Sequence, residues 1–113
     1  MVNNVCYIFP GQGSQYVGMG KDLYDNSPEA KAIFDQAENI LPGLNLKKLC
    51  FEGPIERLTQ TANSQAAILV TSIAALKALG SKFKPVCCAG LSLGEYSALV
   101  ACGALEFQDA VKL

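Results

Sequence analysis

Two short stretches of this chain carry apolar residues without a polar break: residues 4–9, NVCYIF, and residues 85–89, PVCCA. The first closes on Pro10-Gly11 and the second on Gly90. A strand with one wet face would alternate apolar and polar residues. Uninterrupted runs of strand formers instead predict parallel strands buried on both faces. That restricts the fold class to α/β, with helices flanking a parallel sheet.

The segment between the runs has helical spacing. Ser27 is a good N-cap with Pro28 at the first helical position, and Ala30, Ile33, Phe34, Ala37 and Leu41 keep one face apolar until Pro42-Gly43 ends the helix. Shorter helices are predicted over 46–51 and 55–58, divided by Gly53-Pro54. A long helix over 63–79 is apolar on most sides, hence deeply buried, with Gly80 as its stop. Further helices are predicted over 94–101 and from 106 to 113. There is no repeat, low-complexity tract or linker. The 113 residues form one unit, residues 1–113. A two-stranded sheet is not stable alone, and the last helix has an apolar stripe (Phe107, Ala110, Val111) without a C-cap. The chain is therefore expected to be the opening portion of a larger α/β domain.

Composition removes several functions. Half the residues are apolar, 17% are charged and the net charge is -1, which fits a soluble globular core. Arg57 is the one arginine and no basic run gathers, so no nucleic-acid partner is expected. The apolar stretch 66–79 is broken by Thr71, Ser72 and Lys77, which predicts a buried helix and no membrane association. The start, MVNNVCYIFP, lacks the basic and long apolar regions of a signal peptide. Cys6, Cys50, Cys87, Cys88 and Cys102 show no CxxC spacing and there is no histidine, so no metal site is expected. They read as small buried hydrophobes in a reducing cytosol.

Gly90-Leu91-Ser92-Leu93-Gly94 follows the second strand and fits the G-x-S-x-G pattern of a nucleophile elbow. In such a strand–helix turn the serine is exposed, and glycines remove the Cβ groups that would collide. The Leu93 N–H at the start of the helix then faces any oxyanion that forms, with roughly 3 kcal/mol at stake per donor. A second donor would come from the loop FPGQGSQ (9–15), since ligands in open parallel sheets gather beyond the carboxyl ends of the strands. The same five residues also occur as a plain tight turn, and FPGQGSQ as a plain loop without the GK[ST] ending of a P-loop. Glu95 suits the first helical turn better than the role of a base. With no histidine in the chain, Ser92 has no usual proton acceptor.

FPGQGSQ (9–15), Gln65 within TANSQAAI, and GLSLGEY (90–96), together with GPIERLTQTANSQAAI and GALEFQDAVKL, resemble the malonyl-CoA:acyl carrier protein transacylases and the acyltransferase domains of fatty acid and polyketide synthases. The resemblance spans all 113 residues. It implies the N-terminal part of an α/β-hydrolase-like large subdomain, with a ferredoxin-like small subdomain outside this chain. It implies Ser92 as the serine that takes the malonyl group, and Gln12 and Leu93 as the backbone donors of the oxyanion hole. Gln65 corresponds to a glutamine near the active site. Leu91 stands where bacterial members commonly have histidine, a residue of the substrate pocket. The family's histidine base and its carboxylate-binding arginine lie downstream, outside these residues. Malonyl-CoA, acyl carrier protein and the remainder of the domain are the implied partners. The implied setting is cytoplasmic, and coenzyme A serves as substrate carrier with no cofactor or metal. Two other classes compete: a patatin-like lipid acyl hydrolase, which uses G-x-S-x-G without histidine but needs an Asp-Gly element this chain lacks, and a non-catalytic carrier-protein docking fragment.

Overall fold

The computed structural model describes residues 4–113, so the first three residues of MVNNVCYIFP lie outside it. Strand β1 (Cys6–Phe9) and strand β2 (Cys87–Gly90) pair in parallel, with Cys6 opposite Cys87 and Phe9 opposite Gly90. Between them run α1 (Lys21–Asn26), α2 (Pro28–Ile40), α3 (Leu46–Glu52), α4 (Ile55–Leu58) and α5 (Thr61–Leu79). Helices α6 (Gly94–Ala101) and α7 (Phe107–Lys112) follow β2. The α/β class and the parallel pairing are as the apolar runs predict.

The core lies between helices, not against the sheet. Helix α2 presents Ala30, Ile33, Phe34 and Ala37 to Ala67, Ile68, Val70, Ile73 and Ala74 of α5. Ser27 caps α2 as expected, its hydroxyl accepting from the Ala30 N–H at 3.2 Å. Leu46, Leu49 and Leu58 close the core from α3 and α4. Phe34 sits beside Tyr24 and Phe51, with ring centroids 6.0 and 5.3 Å away. By length and composition α5 would qualify as a membrane span. Its buried face against α2 gives it a core role instead.

Four expectations need correction. Helix α1 was not expected: it opens after Gly20 without a side-chain cap and buries no residue fully. Helix α5 begins at Thr61, not 63, because the Gln60 carbonyl already accepts from the Ser64 N–H at 2.8 Å. The strands are not buried on both faces. Phe9 is buried against the helical layer, but Cys6, Ile8, Cys87 and Ala89 share an exposed face, with Ile8 79% exposed. Among the described residues nothing packs over it. The cysteines are not uniformly buried hydrophobes either. Only Cys50 is fully buried, and Cys6 and Cys87 form a disulfide because the register puts both on the exposed face with Cα atoms 5.0 Å apart.

One polar cluster ties three helices. The Lys47 ammonium donates to Asp35 Oδ1 at 2.8 Å and to the Tyr24 hydroxyl at 3.1 Å, while the Lys47 backbone N–H donates to Glu38 Oε2 at 2.9 Å. The Lys47 hydrogen bond holds the Asp35 carboxyl below its ordinary range. A depressed carboxyl stabilises the fold above its unfolded pKa and stops doing so as pH falls through the folded value. The stability gap between wild type and Asp35→Asn is therefore expected at neutral pH and should close below about pH 4 in urea titrations. Thiol reactivity gives a second check. Burial pushes the Cys50 thiol up to about 12, whereas Cys102 is exposed. Iodoacetamide at pH 8 should label Cys102 in the native protein and reach Cys50 only after unfolding.

Candidate functional site

Strand β2 ends at Gly90 and α6 starts at Gly94, leaving three residues for the reversal. The turn closes by the Gly94 N–H donating to the Leu91 carbonyl at 2.9 Å and the Glu95 N–H donating to the Ser92 carbonyl at 2.9 Å. Ser92 has φ 54, a left-handed conformation uncommon for a residue with a side chain. Non-glycine residues held there are over-determined by their surroundings and cluster at functional sites. The flanking glycines are required by contact. A Cβ on Gly90 would collide with the Gly94 carbonyl, and a Cβ on Gly94 would collide with the Phe9 carbonyl.

The loop after β1 reaches the same end of the sheet. Leu91 donates its N–H to the Phe9 carbonyl at 3.3 Å, continuing the strand pairing into the turn. A Cβ on Gly11 would strike the Leu91 carbonyl and lie 3.7 Å from the Ser92 Cβ. Gln12, the next residue, is thus delivered beside the serine. Its side-chain amide donates to the Thr61 hydroxyl at 3.5 Å, which links the loop to the start of α5. Among the described residues, neither the Gln12 nor the Leu93 backbone N–H donates to a protein acceptor. Each loop therefore carries an unspent donor at this end of the sheet, although Gln12 does not line the cavity that Ser92 and Leu93 share.

A cavity of about 740 Å³ opens here, and Gln65, Ser92, Leu93 and Glu95 line it. It brings Gln65 of α5 to the serine. Leu91 is not among its lining residues, and its side chain is 75% exposed. Sequence reasoning missed Thr61 as the residue under Gln12, and Lys112, which lines the cavity from α7. Thr61 opens TANSQAAI and Lys112 lies in GALEFQDAVKL, but neither stands out within those stretches, and only the tertiary structure brings them to the cavity and the Gln12 loop. Among the described residues no His, Cys, Asp and Glu cluster could hold a metal ion.

The family model described as "Acyl transferase domain" matches residues 6–113. The chain belongs to that family. It is 54% identical over 111 residues to the malonyl CoA-acyl carrier protein transacylase of Bacillus subtilis strain 168, covering 97% of this chain and 35% of that protein. The Haemophilus influenzae protein of the same name is 49% identical over 109 residues, with 94% and 35% covered. Among solved structures, the Streptococcus pneumoniae transacylase superposes with a TM-score of 0.89 at 48% identity, covering 95% of this chain and 35% of that one. A type II polyketide transacylase in complex with its acyl carrier protein superposes at 0.88, with 38% identity and 97% and 36% covered. The chain spans about a third of the length of the curated relatives it matches.

The strand–helix turn depends on glycine at 94, which gives a direct test. Gly94→Ala should cost about 1–3 kcal/mol in urea unfolding, since neither the strand nor the helix can retreat. Gly43→Ala, where an added Cβ meets nothing within 4 Å, should leave the midpoint almost unchanged.

Proposed function

We propose that residues 1–113 are the nucleophile-bearing N-terminal part of an acyltransferase domain. The domain would move a malonyl group from malonyl-CoA to the phosphopantetheine thiol of acyl carrier protein. The observation that carries this reading is Ser92 held at φ 54 in the turn between β2 and α6, with unspent backbone donors at Leu93 and in the Gln12 loop. The family membership and the transacylases it matches favour malonyl transfer over lipid hydrolysis. The finer architecture follows from the same reading: an α/β-hydrolase-like large subdomain here, and a ferredoxin-like small subdomain in the part of the relatives this chain does not span. The setting is the cytoplasm, where the exposed Cys6–Cys87 disulfide is open to reduction.

Ser92 Oγ attacks the thioester carbonyl, and the carbonyl oxygen becomes an oxyanion held by the Gln12 and Leu93 N–H groups. The C–S bond then breaks, coenzyme A leaves as the thiol, and malonyl remains as an ester on Ser92. The pantetheine thiol attacks that ester in the second half, releases Ser92 Oγ, and carries the malonyl group away as a new thioester. Gln65 faces the acyl group from α5, whereas Leu91, where relatives commonly place histidine, stays exposed outside the cavity. The proton from Ser92 must go to a base outside these residues, because the chain has no histidine. The arginine that would grip the malonyl carboxylate is likewise supplied from outside.

Two measurements test this. Malonyl-CoA should place its label on Ser92 when the chain is mixed with the remaining portion of the Bacillus subtilis relative, and Ser92→Ala should abolish the label. The chain by itself should be slower by on the order of 10²–10⁴, since it lacks a positioned base. Label on another residue, or full turnover by the chain alone, would overturn the assignment.

A further inference from the structure

The loop between β1 and α1 is the part of the candidate site that no helix or strand holds, and its residues Gln12, Gly13 and Ser14 are exposed. Exposed loops move more than the elements they join. A donor aimed at a transition state must nevertheless stay within about 0.5 Å of its place. Some contact inside the loop has to reconcile the two. Backbone contacts fix its ends. Gly11 packs against the Leu91 carbonyl, where a Cβ would collide, and the Gly18 N–H donates to the Cys50 carbonyl at 2.8 Å.

Between those ends the Ser14 N–H donates to the Gly11 carbonyl at 3.3 Å, closing a turn with Gln12 and Gly13 at its centre. Gly13 has φ 108, on the left-handed side that the third residue of a type II turn requires and that glycine takes without strain. The alternative is a type I turn, in which the peptide joining Gln12 to Gly13 is rotated by roughly half a turn. One side chain opposes that rotation. Gln15 Oε1 accepts from the Gly13 N–H at 2.9 Å, so the central peptide is held from outside the turn. The loop's other side-chain contact, from the Gln12 amide to the Thr61 hydroxyl, is 3.5 Å long. That lies beyond the ~2.7–3.2 Å of a well-formed N–H···O bond. The shorter bond decides the loop's shape.

We propose that Gln15 is a positioning residue for acyl transfer: it locks the Gly11–Ser14 turn in the form that aims the Gln12 N–H at the oxyanion formed on attack by Ser92. The proposal rests on the functional reading above and deepens it. Gln15 does not line the cavity, so it acts through the loop backbone. Its amide oxygen is the group that matters, because the Gly13 N–H can only donate. Glutamate offers the same oxygen at the same length and, ionised at neutral pH, can only accept. Methionine keeps the length but carries only a weakly accepting sulfur. The two replacements therefore separate acceptance from bulk.

The test compares wild type, Gln15→Met and Gln15→Glu in the whole acyltransferase domain that carries this sequence. Hydrogen exchange at the Gly13 amide should quicken by about tenfold in Gln15→Met and stay near wild type in Gln15→Glu. Malonylation of Ser92 at saturating malonyl-CoA should slow by about 10–100-fold in Gln15→Met, less than the roughly 10²–10³ that loss of a whole oxyanion donor costs. The KM for malonyl-CoA should move by less than about twofold, as for a contribution made only in the transition state, and Gln15→Glu should recover the rate to within about threefold. A Gln15→Met domain that labels Ser92 at the wild-type rate overturns the proposal. So does a loss confined to KM, or a folded Gln15→Glu domain no faster than Gln15→Met. Wild type that takes no label on Ser92 overturns the functional reading instead, and the positioning role with it.

Discussion

Everything at the candidate site depends on how closely α6 approaches the strands. Gly94 lies against the Phe9 carbonyl and Gly90 against the Gly94 carbonyl, so helix and sheet meet backbone to backbone. Any side chain at either position would lever α6 away from β1. Such a shift would carry Leu93 away from the loop that holds Gln12. The rest of the structure supports that approach. The β1–β2 register fixes which loop faces which, and α5 backs α6 from behind.

The helical core performs a different task. Phe34, Leu46, Leu58, Ile68 and Ile73 are fully buried between α2, α3, α4 and α5. Burial of this kind is worth roughly 1.5–3 kcal/mol per side chain and supplies the rigidity that the sheet lacks. The site is therefore built where a well-packed helical layer borders a poorly covered sheet. Helix α5 joins the two regions: Gln65 and Thr61 near its start reach the cavity and the Gln12 loop, while Val70 and Ile73 further along are core.

What the sequence made legible was whatever has a local cause. Ser27-Pro28 announces α2, Gly80 ends α5, and the apolar runs identify both strands, because caps, breakers and apolar spacing act within a few residues. The G-x-S-x-G turn was equally readable, since its glycines answer to collisions in one short segment. Helix α1 escaped because it has no cap and only partial apolar character, and packing of Leu23 and Tyr24 on the core stabilises it. The exposure of Ile8 and the Cys6–Cys87 disulfide escaped for the opposite reason. An apolar run states that a strand prefers burial, but only the neighbouring elements decide whether both faces receive it.

The backbone of Ser92 has one more implication. At φ 54 a residue with a Cβ sits about 1–2 kcal/mol above its preferred conformation, whereas glycine would occupy the same angles without penalty. The most comfortable residue for this turn is the one that would erase its hydroxyl. If Ser92 is the nucleophile proposed above, stability and activity pull in opposite directions at this single position.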